Sequence, residues 1–155
     1  MDADVQHLRR AIELAARARS NGNHPFGSLL VDADGTVLLE AENTVLTTRD
    51  CTGHAELNLV RAASSEVDPA VLATCTLYTS TEPCAMCAGA IFWAGIGRVV
   101  FALSSETLAT IVRDESGDWT LALSCREIFA RAGRAVTVDG PLLEAEGRVV
   151  HDGFW

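Results

Sequence analysis

A chain of 155 residues that is 48% hydrophobic and 21% charged has the composition of one soluble globular domain with a core of its own. Its formal net charge of -9, twelve basic residues against twenty-one acidic ones, lacks the basic footprint that phosphate contacts need, so nucleic acid is not an expected partner. No apolar run approaches the roughly 18 residues that cross a bilayer. The N-terminus, acidic before it is apolar, does not read as an export signal, so no membrane is expected and the expected location is cytoplasmic.

In chain order, Val5 to Ser20 predicts a helix. Leu8, Ile12 and Ala15 recur at helical spacing, Asp4 can cap the start, and Gly22 follows the end. Residues 26–43 predict a hairpin: the strand FGSLLVD, the turn DADG and the returning strand TVLLEAEN. HAELNLVRAAS predicts a second helix with Thr52 as its cap, and CTLYTS a short β-rich strand. Pro83 suits a first helical position, so PCAMCAGAIFWAG opens a third helix that stops near Gly95. RVVFAL is a buried strand. SCREIFARAG, with Ser124 and Glu127 in capping-box spacing, is a fourth helix ending at Gly133. AVTV is a last strand, and LLEAEGRVVHDGFW a helical or irregular tail.

No linker, repeat or low-complexity tract divides the chain, so residues 1–155 are expected to form one domain. Strands separated by helices predict parallel neighbours with right-handed crossovers, and the opening hairpin adds an antiparallel pair. The expected fold is α/β, a three-layer α/β/α sandwich around a mixed five-stranded sheet.

The five cysteines are Cys51, Cys75, Cys84, Cys87 and Cys125. An odd count without an export signal argues against a disulfide framework. Cys84 and Cys87, spaced i and i+3 in a first helical turn, share a face where the helix dipole favours thiolates, the form that binds metal. A packing pair or a redox CxxC is the plain alternative. His54, also at a helix start, is the best third ligand. Three protein ligands leave a fourth position for water, the catalytic pattern of zinc, and Glu56 stands two residues away as a proton acceptor. Cys51 as a fourth ligand would instead make a closed, inert site.

HAE followed by PCAMC resembles the zinc-dependent cytidine deaminase superfamily, whose nucleobase deaminases carry H-x-E…P-C-x-x-C. The likeness runs from HPFGSLLVD through FWAGIGRVVFA. It implies a cytidine deaminase-like fold, His54, Cys84 and Cys87 as zinc ligands, and Glu56 as proton shuttle. HPFG, AEN and YTSTEPCAMCAGAIFWAG look most like bacterial guanine deaminases and related nucleobase or nucleoside deaminases. On that resemblance Asn43 hydrogen-bonds the substrate, Ala55 offers a backbone N–H, and Phe26 and Trp93 line the pocket. Trp155 or Phe154 closes it, in the same subunit or a neighbouring one, and a homodimer is expected.

The implied reaction is hydrolytic release of ammonia from a nucleobase or nucleoside, with guanine favoured and cytosine or an aminated triazine-type ring next. The C-terminal acidic and aromatic residues of guanine deaminases find no alignable counterpart here. DESGDWTLALSCREIFARAG is closer in length and helix to tRNA adenosine deaminases and yeast-type cytosine deaminases. The rival readings are a tRNA adenosine deaminase and, from another class, a non-catalytic zinc-stabilised interaction domain. His7, His24, His151, Cys75 and Cys125 are expected to be structural or surface residues.

Overall fold

The computed structural model describes residues 2–155, arranged about one five-stranded sheet. Its elements are α1 (Ala3–Ser20), β1 (Gly27–Val31), β2 (Val37–Glu42), α2 (Val45–Thr48), α3 (Ala55–Glu66), α4 (Pro69–Leu72), β3 (Thr76–Thr81), α5 (Ala85–Ala94), β4 (Arg98–Leu103), α6 (Ser105–Val112), α7 (Cys125–Ala130), β5 (Thr137–Asp139) and α8 (Glu144–Val149). The strand order is β2-β1-β3-β4-β5. The β1–β2 and β1–β3 pairs are antiparallel, while β3–β4 and β4–β5 are parallel, so the mixed sheet is as expected. Asp32 closes the hairpin by accepting from the Asp34 and Thr36 N–H groups, and Gly35 takes the left-handed φ of +86 that the turn needs.

The central strands are buried on both faces, and their side chains part with a period of two. Leu29, Val31, Tyr78, Val100 and Ala102 pack with Leu8, Ala11 and Leu14 of α1. Leu30, Leu77, Val99 and Phe101 pack with Leu59, Ala88, Ile91 and Phe129 of α3, α5 and α7. Each fully buried leucine among them contributes roughly 2 kcal/mol through loss of water contact. Helices on both faces make the three layers. Gly27 is required where α1 crosses β1: a Cβ there would lie 2.5 Å from the Ala15 nitrogen and from Leu14 Cβ. Among the described residues no helix is long and apolar enough to cross a membrane.

Several boundaries differ from the sequence reading. Asp2, not Asp4, caps α1. Asp4 is occupied elsewhere, accepting from Tyr78 Oη at 2.6 Å and from Arg98 at 2.7 and 3.0 Å, with Arg98 also held by Asp139. That network ties the start of α1 to the sheet. Thr52 does not cap α3; its hydroxyl donates to Asp50, and the cap position is His54. Pro83 lies outside α5, whose cap position is Cys84. The short helices α2 and α4, and α6 with its Ser104 cap, have no counterpart in the sequence reading. β5 begins two residues later than AVTV suggests.

Candidate active site

The parallel strand β3 delivers its chain to the start of α5, and α3 begins beside it. The first residues of both helices therefore meet. His54 and Cys84 occupy the two cap positions, and neither makes a side-chain cap hydrogen bond. Their side chains face each other instead: His54 Nδ1 lies 3.5 Å from Cys84 Sγ and 3.6 Å from Cys87 Sγ. The three ligand atoms all lie within 4.8 Å of one another. Tetrahedral zinc, with its usual Zn–S and Zn–N lengths, places sulfur and nitrogen roughly 3.6 Å apart, so the donor set and spacing fit that ion. Cys51 is exposed and stands outside the trio, as do the buried Cys75 and Cys125; among the described residues no fourth protein ligand closes the site.

The metal-free electrostatics are those of a thiol pair sharing one proton. The Cys87 thiol, and after it His54, pull Cys84 down to about 4 against the cost of burial. Cys87, donating to Cys84 and buried, stays far above the ordinary thiol range. The hydrogen bond to Cys84 raises His54 against its burial. Backbone N–H groups of the two first turns help: that of Cys87 favours the Cys84 thiolate, and that of Leu57 favours the charged form of Cys87.

Glu56, in the first turn of α3, is 5% exposed. Burial first, and the Cys84 thiolate second, push its carboxyl up to about 6. Thr79 of β3, fully buried, sits 3.0 Å from Glu56 Oε1 and 3.0 Å from the Thr81 carbonyl, so one hydroxyl serves two acceptors. Glu82 anchors the loop before Cys84. It accepts from the Ser105 N–H at 2.9 Å, the Ser105 hydroxyl at 2.8 Å and the Cys125 N–H at 3.3 Å, joining the starts of α6 and α7.

Ala55 follows His54, and Asn43 is linked to the same region through the backbone. The Asn43 N–H donates to the Phe26 carbonyl, and the Thr44 N–H to that of Gly53, next to His54. Asn43 Oδ1 is taken by the Val45 N–H; its amide nitrogen has no acceptor among the described residues. Ala55, buried, opens α3, where a first-turn N–H has no intrahelical partner. Phe26 stands 5.4 Å from His151 and 6.3 Å from Trp155, centroid to centroid. Trp155 in turn lies 5.3 Å from His24, and its indole N–H donates to His151 Nδ1 at 3.1 Å. The tail thus folds onto its own chain.

One sequence expectation needs correction here. Trp93 does not line this cleft: it is 84% exposed, with Phe92 as its ring neighbour. Ile91 faces the core, and two helical residues later the side chain points about 200° away. His24 and His151, expected to be structural or surface residues, pack among the aromatic rings of the tail. Burial lowers His24, and the His54 charge lowers it further. The i,i+4 spacing of His151 and Trp155 was the available signal. His7 packs on Tyr78, away from the trio.

The family described as "Cytidine and deoxycytidylate deaminase zinc-binding region" matches residues 1–103, two thirds of the chain. The chain belongs to this zinc-dependent deaminase family. A probable cytosine deaminase of Schizosaccharomyces pombe is 42% identical over 154 residues, covering 99% of this chain and 93% of the relative. The guanine deaminase of Bacillus subtilis is 40% identical over 110 residues, 70% of each chain. The solved guanine deaminase of Nitrosomonas europaea superposes with a TM-score of 0.79 over 94% of this chain and 80% of its own, at 24% identity, a likeness of fold. In this deaminase family zinc, when bound, supplies a Lewis acid that eases ionisation of water near neutral pH. Three protein donors together with a buried carboxylate within reach are what such chemistry needs.

Proposed function

We propose that this deaminase hydrolyses the exocyclic amine of a free nucleobase, cytosine first and guanine second, releasing ammonia. The observation that carries this reading is the aromatic tail: Trp155, His24, Phe26 and His151 stand against one another, and the Phe26 carbonyl is tied by the Asn43 N–H to the segment that pairs with Gly53, next to His54. Such a wall suits a flat ring and leaves a polynucleotide little room. Support for cytosine over guanine comes from the S. pombe relative, whose likeness runs through 99% of this chain, against 70% for the guanine deaminase.

In this proposal His54, Cys84 and Cys87 hold the zinc. Water adds to the ring carbon that bears the amine, and the C–N bond breaks. One water proton ends on the ring nitrogen and the other on the departing ammonia, both carried by Glu56, while the water oxygen becomes the new carbonyl. A carboxyl near 6 can take and return a proton at neutral pH. Asn43 and the Ala55 N–H orient the ring, and Phe26 and Trp155 flank it. Residues 1–155 act as one domain. A homodimer covering Met86 and Trp93, both exposed on α5, completes the reading.

The test is ammonia release by zinc-loaded protein from cytosine, guanine, adenine, their nucleosides and an aminated triazine. Turnover of cytosine with little of cytidine is expected. No release from any of these compounds sinks the reading, and inosine formed in a tRNA anticodon stem-loop would replace it with RNA editing.

A further inference from the structure

We infer that Arg19 latches the C-terminal tail over the metal cleft and is a positioning residue for Trp155. The inference rests on the reading that Trp155 covers bound substrate.

Arg19 lies in the last turn of α1. From there Nη1 donates to the Val150 carbonyl at 2.9 Å and to the Asp152 carbonyl at 2.7 Å. The same guanidinium stands 5.5 Å from the centre of the Phe154 ring. Nη2 lies 4.0 Å from where a Cβ on Gly153 would be, and Gly153 holds a left-handed φ of +68. One side chain therefore spans the tail from residue 150 to 154, where α8 has ended and orphan carbonyls need donors. The other α1 arginines that make ion pairs use carboxylates: Arg9 with Glu146, Arg10 with Glu13 and Glu40, and Arg17 with Glu42. Arg19 makes no ion pair among the described residues and directs its charge to carbonyls and a ring.

The tail's last residue is held by ring contacts and one hydrogen bond while staying half exposed, so a holder upstream of it matters. Trp155 leans on His24 and His151. His151 and Trp155 also line a cavity of about 450 Å³, bounded by Thr110, Arg113 and Arg148. Once the Arg19 bonds break, that space can receive the indole, and the cleft is uncovered. Substrate entry and product release then proceed without disturbing the metal end.

The test uses the full-length zinc-loaded protein with Trp93→Phe and Trp119→Phe, so that fluorescence reports Trp155. Arg19→Met keeps the aliphatic stem and removes the donors; Arg19→Lys keeps a charge and a single donor group. In the Met variant acrylamide quenching of Trp155 should rise at least about twofold. KM for cytosine, or for guanine if the base screen selects it, should rise about tenfold as the hydrogen bonds to the Val150 and Asp152 carbonyls are lost. Turnover at saturation and zinc content should stay close to the parent, with the Lys variant in between. Unchanged quenching and KM overturn the latch. Should the Met variant lose zinc or fail to fold, the Lys variant decides by the same two readouts. Trp155→Ala separates the readings: no rise in KM there sinks the lid, whereas a rise there with no response to Arg19 sinks the latch alone.

Discussion

Two regions of the molecule, the metal trio and the aromatic C-terminal tail, are of opposite construction. The metal wall is made of the first turns of α3 and α5, with Cys87 and Glu56 buried and backbone N–H groups aimed at the sulfurs. The tail wall is made of rings from residues 24, 26, 151, 154 and 155, with Trp155 45% exposed and lining an open cavity. The first is held by short-range geometry within two helix starts. The second is held by contacts between chain ends, Arg19 reaching more than 130 residues to the tail carbonyls. Chemistry that needs fixed distances belongs on the first wall, and motion belongs on the second.

Metal removal tests that division most severely. Chelation should abolish ammonia release and lower Tm by on the order of 10 °C, since a tight ligand of the native state stabilises it by mass action. Quenching of Trp155 should barely change, because none of the tail's contacts runs through the trio. Equal loosening of both walls would break the comparison. Glu56→Gln comes next. It should lower kcat by about 10² to 10⁴-fold with zinc content intact, the range of a lost proton carrier. Retained turnover would move the proton work to another group.

The two walls also differ in how far they could be read from sequence. The HAE and PCAMC motifs carry their chemistry in local spacing, so the trio and Glu56 were legible. Their helix boundaries were not. Cap preferences point to Thr52 and Pro83, yet His54 and Cys84 take the cap positions without cap hydrogen bonds. Ligand geometry outweighs local propensity there, at a cost of about 1 kcal/mol per missing cap. The tail was half legible: aromatic residues suggested a lid, but Arg19 belongs to no motif, and only tertiary contact gives it, His24 and His151 a place against the tail. α6 escaped because none of its residues is buried. Trp93 was misjudged because an aromatic two residues beyond a core position faces outward.

A smaller effect concerns the support behind Glu56. Thr79 can donate its single proton to the Glu56 carboxylate or to the Thr81 carbonyl. Ionised Glu56 draws the proton; protonated Glu56 can release it to Thr81 and donate to the hydroxyl instead. Thr79→Val is close in shape and leaves Glu56 without that partner. A fall in kcat of about tenfold is expected, with KM and zinc unchanged and Thr79→Ser restoring most of the rate. Since Thr79 favours the charged carboxylate, the acid limb of kcat/KM should also move up in pH. No change in either would assign Thr79 to packing.

The smallest effect is a pH response confined to the tail. His151 is lowered to about 4, chiefly by burial and then by the Arg19 charge, with Asp152 opposing. Its Nδ1 must accept the Trp155 indole proton, so only the neutral ring holds the lid. The closed tail therefore binds a proton less readily than an open one, whose histidine titrates near 6.5. Closure should be complete above about 6.5 and weaken as pH falls from there towards 4, the direction required when the open form takes up the proton first. Trp155 quenching should rise through that window and stay flat in His151→Gln, whose amide oxygen can still accept the indole N–H. His24 leans on the same indole and is also lowered by burial. A transition that survives His151→Gln but disappears in His24→Gln would transfer the response to His24.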